Sequence, residues 1–204
     1  MSTAVPAAQP SPIDRAAEAP SRPVVQVVPL RGLPIVAAVI ILLVVAIAGN
    51  WFWALDFFHV VGGGLWTGID LFVGLIVGPI IGRLSIPARI EFSARFMPKM
   101  VLIMPTLVTM TLGSGFQLAR ELGTLNSGYL YHGWLVASFI VVGVMAVIAL
   151  GILEPANIAV LFELKKPQPN GQLIAKLMRR FIYTAGITGV MQVATLIIMT
   201  RLAT

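Results

Sequence analysis

The chain of 204 residues contains no cysteine. That absence excludes disulfides, thiolate metal sites, iron–sulfur clusters and covalent haem attachment through paired cysteines. Charge is scarce too: Asp, Glu, Lys and Arg make up 11% of the residues, against about a quarter in a soluble domain. Histidine is limited to His59 and His132, so a closed structural zinc site has too few His and Cys ligands. No nucleophile elbow, P-loop, zinc-protease helix or dinucleotide fingerprint occurs. The run Gly62, Gly63, Gly64 lies inside an apolar stretch and is no phosphate cradle.

Long apolar runs fill most of what remains. Hydrophobic residues are 58% of the chain, and the mean hydropathy is +0.94. A helix of about 20 apolar residues crosses a bilayer core, and runs of that kind recur at 34–50, 57–82, 100–118, 131–153 and 181–202. The sequence therefore predicts an all-α, polytopic helical membrane bundle of about five transmembrane helices. Residues 1–30, rich in Ala, Pro and Ser, read as a disordered cytoplasmic tail, and 31–204 as the transmembrane domain.

The formal net charge of +6 is no nucleic-acid footprint, because the cations sit between the apolar runs. Arg15, Arg22 and Arg31 precede the first span. Arg83, Arg89, Arg95 and Lys99 come after the second, and Lys165, Lys166, Lys176, Arg179 and Arg180 after the fourth. Only Arg120 and Arg201 fall on the other side, which places the N-terminus in the cytoplasm. Trp51, Trp53, Tyr129, Tyr131 and Trp134 then form an outer aromatic belt. "NWFWALD" reads as the turn between the first two spans. "IPARIEFSARFMPK" is expected to lie along the cytoplasmic interface, "PANIAVLFELKK" to extend the fourth span past Pro155, and "PQPNG" to turn.

Polar residues inside the spans carry the functional reading. His59, Gly63, Thr67, Asp70, Gly74 and Gly78 succeed one another at steps of three and four, which puts them on one helix face. Small residues there let helices approach closely and turn Asp70 into the bundle. An intramembrane carboxylate is a proton-relay group, an ion site, or a structural group with a partner. Candidate partners are Gln192, Thr106, Thr109 and Gln117. His59 and His132 open spans that both run inward, so they sit at similar depth. They can supply two axial ligands to a haem iron or two ligands to copper, or be unrelated interfacial residues. Asp56 either orients or joins such a site, or caps the second span. Met97, Met100 and Met104 share a face that suits Cu(I) or plain packing.

The stretch "FHVVGGGLWTGIDLFVGLIVGPIIGRL", together with the next span and the connection leading to it, resembles the copper-resistance D superfamily of bacterial integral membrane proteins. The matching residues are His59, Trp66, Gly68, Pro79, Arg89, Arg95, Pro98, Pro105 and Gly113 or Gly115, over 57–118. Membrane protoporphyrinogen oxidase-like proteins and a membrane domain attached to urate oxidation share the His–small–Trp helix. The resemblance implies a bacterial inner membrane location, and haem b or copper held at His59. Asp70 stands where that pattern is generally uncharged. Three readings are open: a redox or metal-handling protein with His59 and His132 as ligands, an accessory subunit partnered by other membrane subunits, and a proton-coupled transporter centred on Asp70. The bilayer is a partner in all three, and nucleic acid in none.

Overall fold

The computed structural model describes residues 26–203, without the Ala203 side chain. Most of the expected tail, with Arg15 and Arg22, lies outside the described residues. Val27, at its near end, packs against the hydrophobic core.

Among the described residues, five helices are long and apolar enough to cross a membrane: α1 Leu30–Ala48, α2 Phe52–Arg83, α3 Ile86–Glu121, α4 His132–Leu164 and α5 Gly171–Ala203. No strand occurs among the described residues. The α1–α2 turn is shorter than expected, because Asn50 takes a left-handed conformation (φ 50°) that reverses the chain within three residues, Gly49–Trp51. The segment after Trp51 is therefore helical, and Asp56 lies inside α2 instead of capping it.

The stretch expected at the interface also differs. Residues 86–99 continue α3 without a break through Pro98, giving one helix of 36 residues. At 1.5 Å per residue it is about 54 Å long, well beyond a bilayer core. Buried Ser93, Ala94 and Met97 explain why it stays upright: this turn packs on α4 and α5 instead of presenting an apolar face to lipid. The far end of α4 and the start of α5 extend with it. Val160, Leu161, Ile174 and Met178 continue the core there. Asn170 accepts hydrogen bonds from the backbone of Gln172 and Leu173 and so caps α5. Met97, Met100 and Met104 are all buried in this core.

Two helices contain a single π-turn, at Val73–Val77 in α2 and Ala149–Leu153 in α4. Each is followed at once by Xaa-Pro, Gly78-Pro79 and Glu154-Pro155. A proline has no N–H to give and its ring collides with the carbonyl four residues back; the wider turn removes both problems without ending the helix.

The chain forms two hairpins, α2–α3 and α4–α5. They pack through α2 on α5 and through α3 on the second half of α4, while α1 leans on α3 and α2. Arg83, Arg89, Lys165, Lys166, Lys176 and Arg179 gather at one end of the bundle, the cationic end. Trp51, Trp53, Tyr129, Tyr131 and Trp134 gather at the other, the aromatic end. There the Arg201 guanidinium lies 4.9 Å from the centre of the Tyr131 ring and ties α5 to the start of α4.

Candidate functional site

The polar stripe of α2 meets two different helices. In the aromatic half it faces α3. His59 Nδ1 donates to the Thr111 carbonyl at 2.9 Å. A Cβ on Gly115 would lie 2.5 Å from the His59 ring, so the ring occupies a notch that only glycine leaves open. Nδ1 being committed to the carbonyl, Nε2 is the nitrogen left for other chemistry.

In the cationic half the stripe faces α5. Asp70 is 2% exposed. Its Oδ2 accepts hydrogen bonds from Gln192 Nε2 and Thr188 Oγ1, both at 2.9 Å. The Thr188 hydroxyl also lies 3.1 Å from the Thr184 carbonyl and 3.0 Å from that of Ala185. Neither ion pair among the described residues involves Asp70. One turn further, Gly74 touches the backbone of Gly186, and Gly78 packs on Ile182. Helices that approach this closely leave no space between α2 and α5 on the cationic side of Asp70.

On the other side lies a cavity of about 360 Å³ between α2, α3, α4 and α5. Gln192, Trp66 and Thr67 line it near Asp70, His59 and Asp56 line it toward the aromatic end, and Tyr129 of the α3–α4 loop is on its wall. Most of the remaining wall is apolar, with Leu135, Phe139 and Met145 from α4.

The structure thus brings Asp56, His59 and Gln192 to one cavity, with Asp70 directly behind Gln192. It does not bring His132 to that wall. His132 sits one turn beyond Leu135 at the start of α4, half-buried, with no hydrogen-bond partner for its buried Nδ1. Helices α2 and α4 are not among the extensively packed pairs. Gln117 belongs elsewhere: its side-chain amide lies 2.6 Å from that of Asn50, and its Nε2 donates to Glu121 Oε1 at 3.0 Å, bracing the α1–α2 turn. Thr106 and Thr109 spend their hydroxyls on the carbonyls of Leu102 and Pro105. Of the four candidate partners, Gln192 is the one bonded to Asp70. Thr188 is a partner that sequence reasoning passes over, although its signal is plain: Thr188 and Gln192 stand four apart on one face of α5.

No group of three or more His, Asp or Glu side chains able to hold a metal ion occurs among the described residues. A copper ion would find His59 and exposed Asp56 on the cavity wall, and no third ligand of those types beside them. The His, Asp and Glu side chains among the described residues do not by themselves make a copper site. A haem held here would have one histidine ligand on the wall, His59, and not the pair.

No protein-family model, no curated protein and no solved structure matches the chain.

Proposed function

We propose that the protein is a small proton-coupled carrier, in which the cavity holds a mainly apolar solute and Asp70 holds the proton. The observation that carries this reading is the position of Gln192, which lines the cavity and hydrogen-bonds the buried carboxylate. A solute in the cavity touches a side chain that touches the proton site. Two further features support it. Asp70 has only neutral hydrogen-bond donors, so a proton comes and goes without breaking an ion pair. The Gly74–Gly186 contact brings α2 and α5 together on the cationic side of Asp70, and the cavity lies on the aromatic side, an asymmetry that suits a carrier.

A hydrophobic carbodiimide, which attacks protonated carboxyl groups in membranes, tests access to that proton. Mass mapping is expected to find the adduct on Asp70, absent in Asp70→Asn and slowed by solutes that fill the cavity. An unreactive Asp70 under conditions that modify Glu154 would contradict the reading.

A second reading keeps His59 as the residue that would hold a haem. It is favoured by the Nδ1 bond to Thr111, since a ligating histidine usually gives its other N–H to a carbonyl or carboxylate. Haem, when bound, would supply one-electron chemistry; this chain's part is to hold the ring through Thr111 and Gly115. A dithionite-reduced minus oxidised spectrum with sharp bands lost in His59→Ala supports it, and a flat spectrum removes it.

A further inference from the structure

The Gln192 amide is caught between two environments. Its nitrogen donates to Asp70 Oδ2 at 2.9 Å. Its Oε1 is buried and has no hydrogen-bond partner, in a residue 3% exposed that lines the cavity. A buried acceptor without a donor is unfavourable, and the cavity is the space from which a donor can come.

We infer that the Gln192 amide is the coupling element, and that the proton on Asp70 sets which kind of ligand the cavity prefers. This rests on the carrier reading for its purpose, though not for its geometry. With Asp70 ionised, the carboxylate only accepts, so Nε2 must face it and Oε1 faces the cavity. The cavity then prefers a small apolar molecule bearing an N–H or O–H donor, an aromatic amine or alcohol in chemical class. With a proton on Oδ2, taken from water at the aromatic end, the carboxyl O–H donates to Gln192 Oε1 once the amide has turned over. The amide hydrogens now face the cavity, which prefers a ligand bearing an acceptor.

Thr188 makes both states possible. A hydroxyl has one proton, and the Thr188 hydroxyl lies within bonding distance of Oδ2 and of two backbone carbonyls, those of Thr184 and Ala185. When Oδ2 is protonated, the Thr188 O–H turns to donate to a carbonyl, so the hydroxyl keeps an acceptor in both states. The titratable groups on the cavity walls are Asp56 and His59 of α2 and Tyr129 of the loop. Helices α3, α4 and α5 add none. None of them is hydrogen-bonded to Asp70.

Linkage makes the inference measurable: if protonation changes ligand preference, ligand binding must move the proton. Isothermal titration calorimetry on the full chain in detergent, repeated in buffers of different ionisation enthalpy, counts that proton. The probes are indole (a donor), 1-methylindole (the same ring with the N–H replaced by N–CH3, so one methyl larger) and quinoline (an acceptor). Indole is expected to bind about tenfold more tightly than 1-methylindole at high pH and to release a proton. Quinoline is expected to take one up. Asp70→Asn should exchange no proton with either, and Gln192→Leu should bind indole and 1-methylindole alike while still folding.

Equal binding of the two indoles by the wild type, proton exchange of the same sign with indole and quinoline, exchange that survives in Asp70→Asn, or no binding of any probe would each overturn it. Binding-linked exchange without solute-driven proton movement across a membrane would remove the carrier reading and leave the coupling standing. Movement without exchange would do the reverse.

Discussion

Gly74 of α2 and Gly186 of α5 meet backbone to backbone, and the contact is asymmetric. A Cβ added to Gly74 would collide with the Gly186 Cα, whereas a Cβ added to Gly186 would lie 3.4 Å from the Gly74 Cα, an ordinary distance. The two glycines are thus not equivalent, although both belong to small-residue stripes that look alike in the sequence.

Gly74→Ala should therefore destabilise the bundle by about 1–3 kcal/mol through overpacking. Gly186→Ala should be near neutral, or stabilising by up to about 1 kcal/mol, because alanine is the better helix former. Thermal unfolding of the two variants in detergent measures the difference. Equal effects would mean that the helices do not cross as described.

The notch that holds His59 can be filled in the same way. Gly115→Ala should drive the ring out, break the Nδ1 bond to Thr111 and cost about 1–3 kcal/mol. Gly68→Ala, where a Cβ meets nothing within 4 Å, is the matched control and should be neutral or slightly stabilising. Nitrogen NMR of the imidazole reports the lost hydrogen bond directly; an unchanged spectrum in Gly115→Ala would contradict the packing.

Asp70 holds Gln192 and Thr188 at equal distances but not with equal effect. Thr188 has two carbonyls to fall back on, and the Gln192 side chain has no other hydrogen bond among the described residues. A double-mutant cycle of Asp70→Ala with Gln192→Leu should give a coupling energy of about 1–3 kcal/mol, and the cycle with Thr188→Val a smaller one. A larger coupling through Thr188 would show that the amide is not the principal partner.

The natural lack of cysteine makes orientation easy to test. Single cysteines at Ser127, in the exposed loop of the aromatic end, and at Gln168, in the exposed loop of the cationic end, should be labelled from opposite sides of intact cells. Ser127→Cys should react with a membrane-impermeant reagent and Gln168→Cys only after lysis. The reverse pattern would invert the topology.

Much of the fold is legible in the sequence because the bilayer imposes a length on apolar runs, and five such runs are visible. What periodicity cannot show is where a helix stops outside the membrane. Residues 86–99 alternate basic and apolar side chains as an interfacial helix does, and only packing against Val160, Leu161 and Met178 keeps them in α3. Asp56 is hard to place for a related reason: the left-handed Asn50 moves the helix start five residues earlier than the 57 expected, to Phe52.

The site is legible by halves. The steps of three and four put His59 and Asp70 on one face of α2, and Gln192 can be named as a mid-span partner. The depth that pairs His59 with His132 fixes height alone, and says nothing about which helices are neighbours. In the bundle, the cavity lies between α2 and α4 and His59 alone lines it. Gln117 has the right residue type and the wrong height, since it serves the turn at Asn50.

Proton movement in proteoliposomes tests the central claim most directly. Vesicles containing the full chain and an entrapped pH-sensitive dye would be exposed to a step in indole concentration, with Asp70→Asn vesicles and empty vesicles in parallel. A pH change is expected inside the wild-type vesicles, and only the passive background in the variant and the empty vesicles. A wild-type response that persists in Asp70→Asn, or none beyond that of empty vesicles, would contradict it.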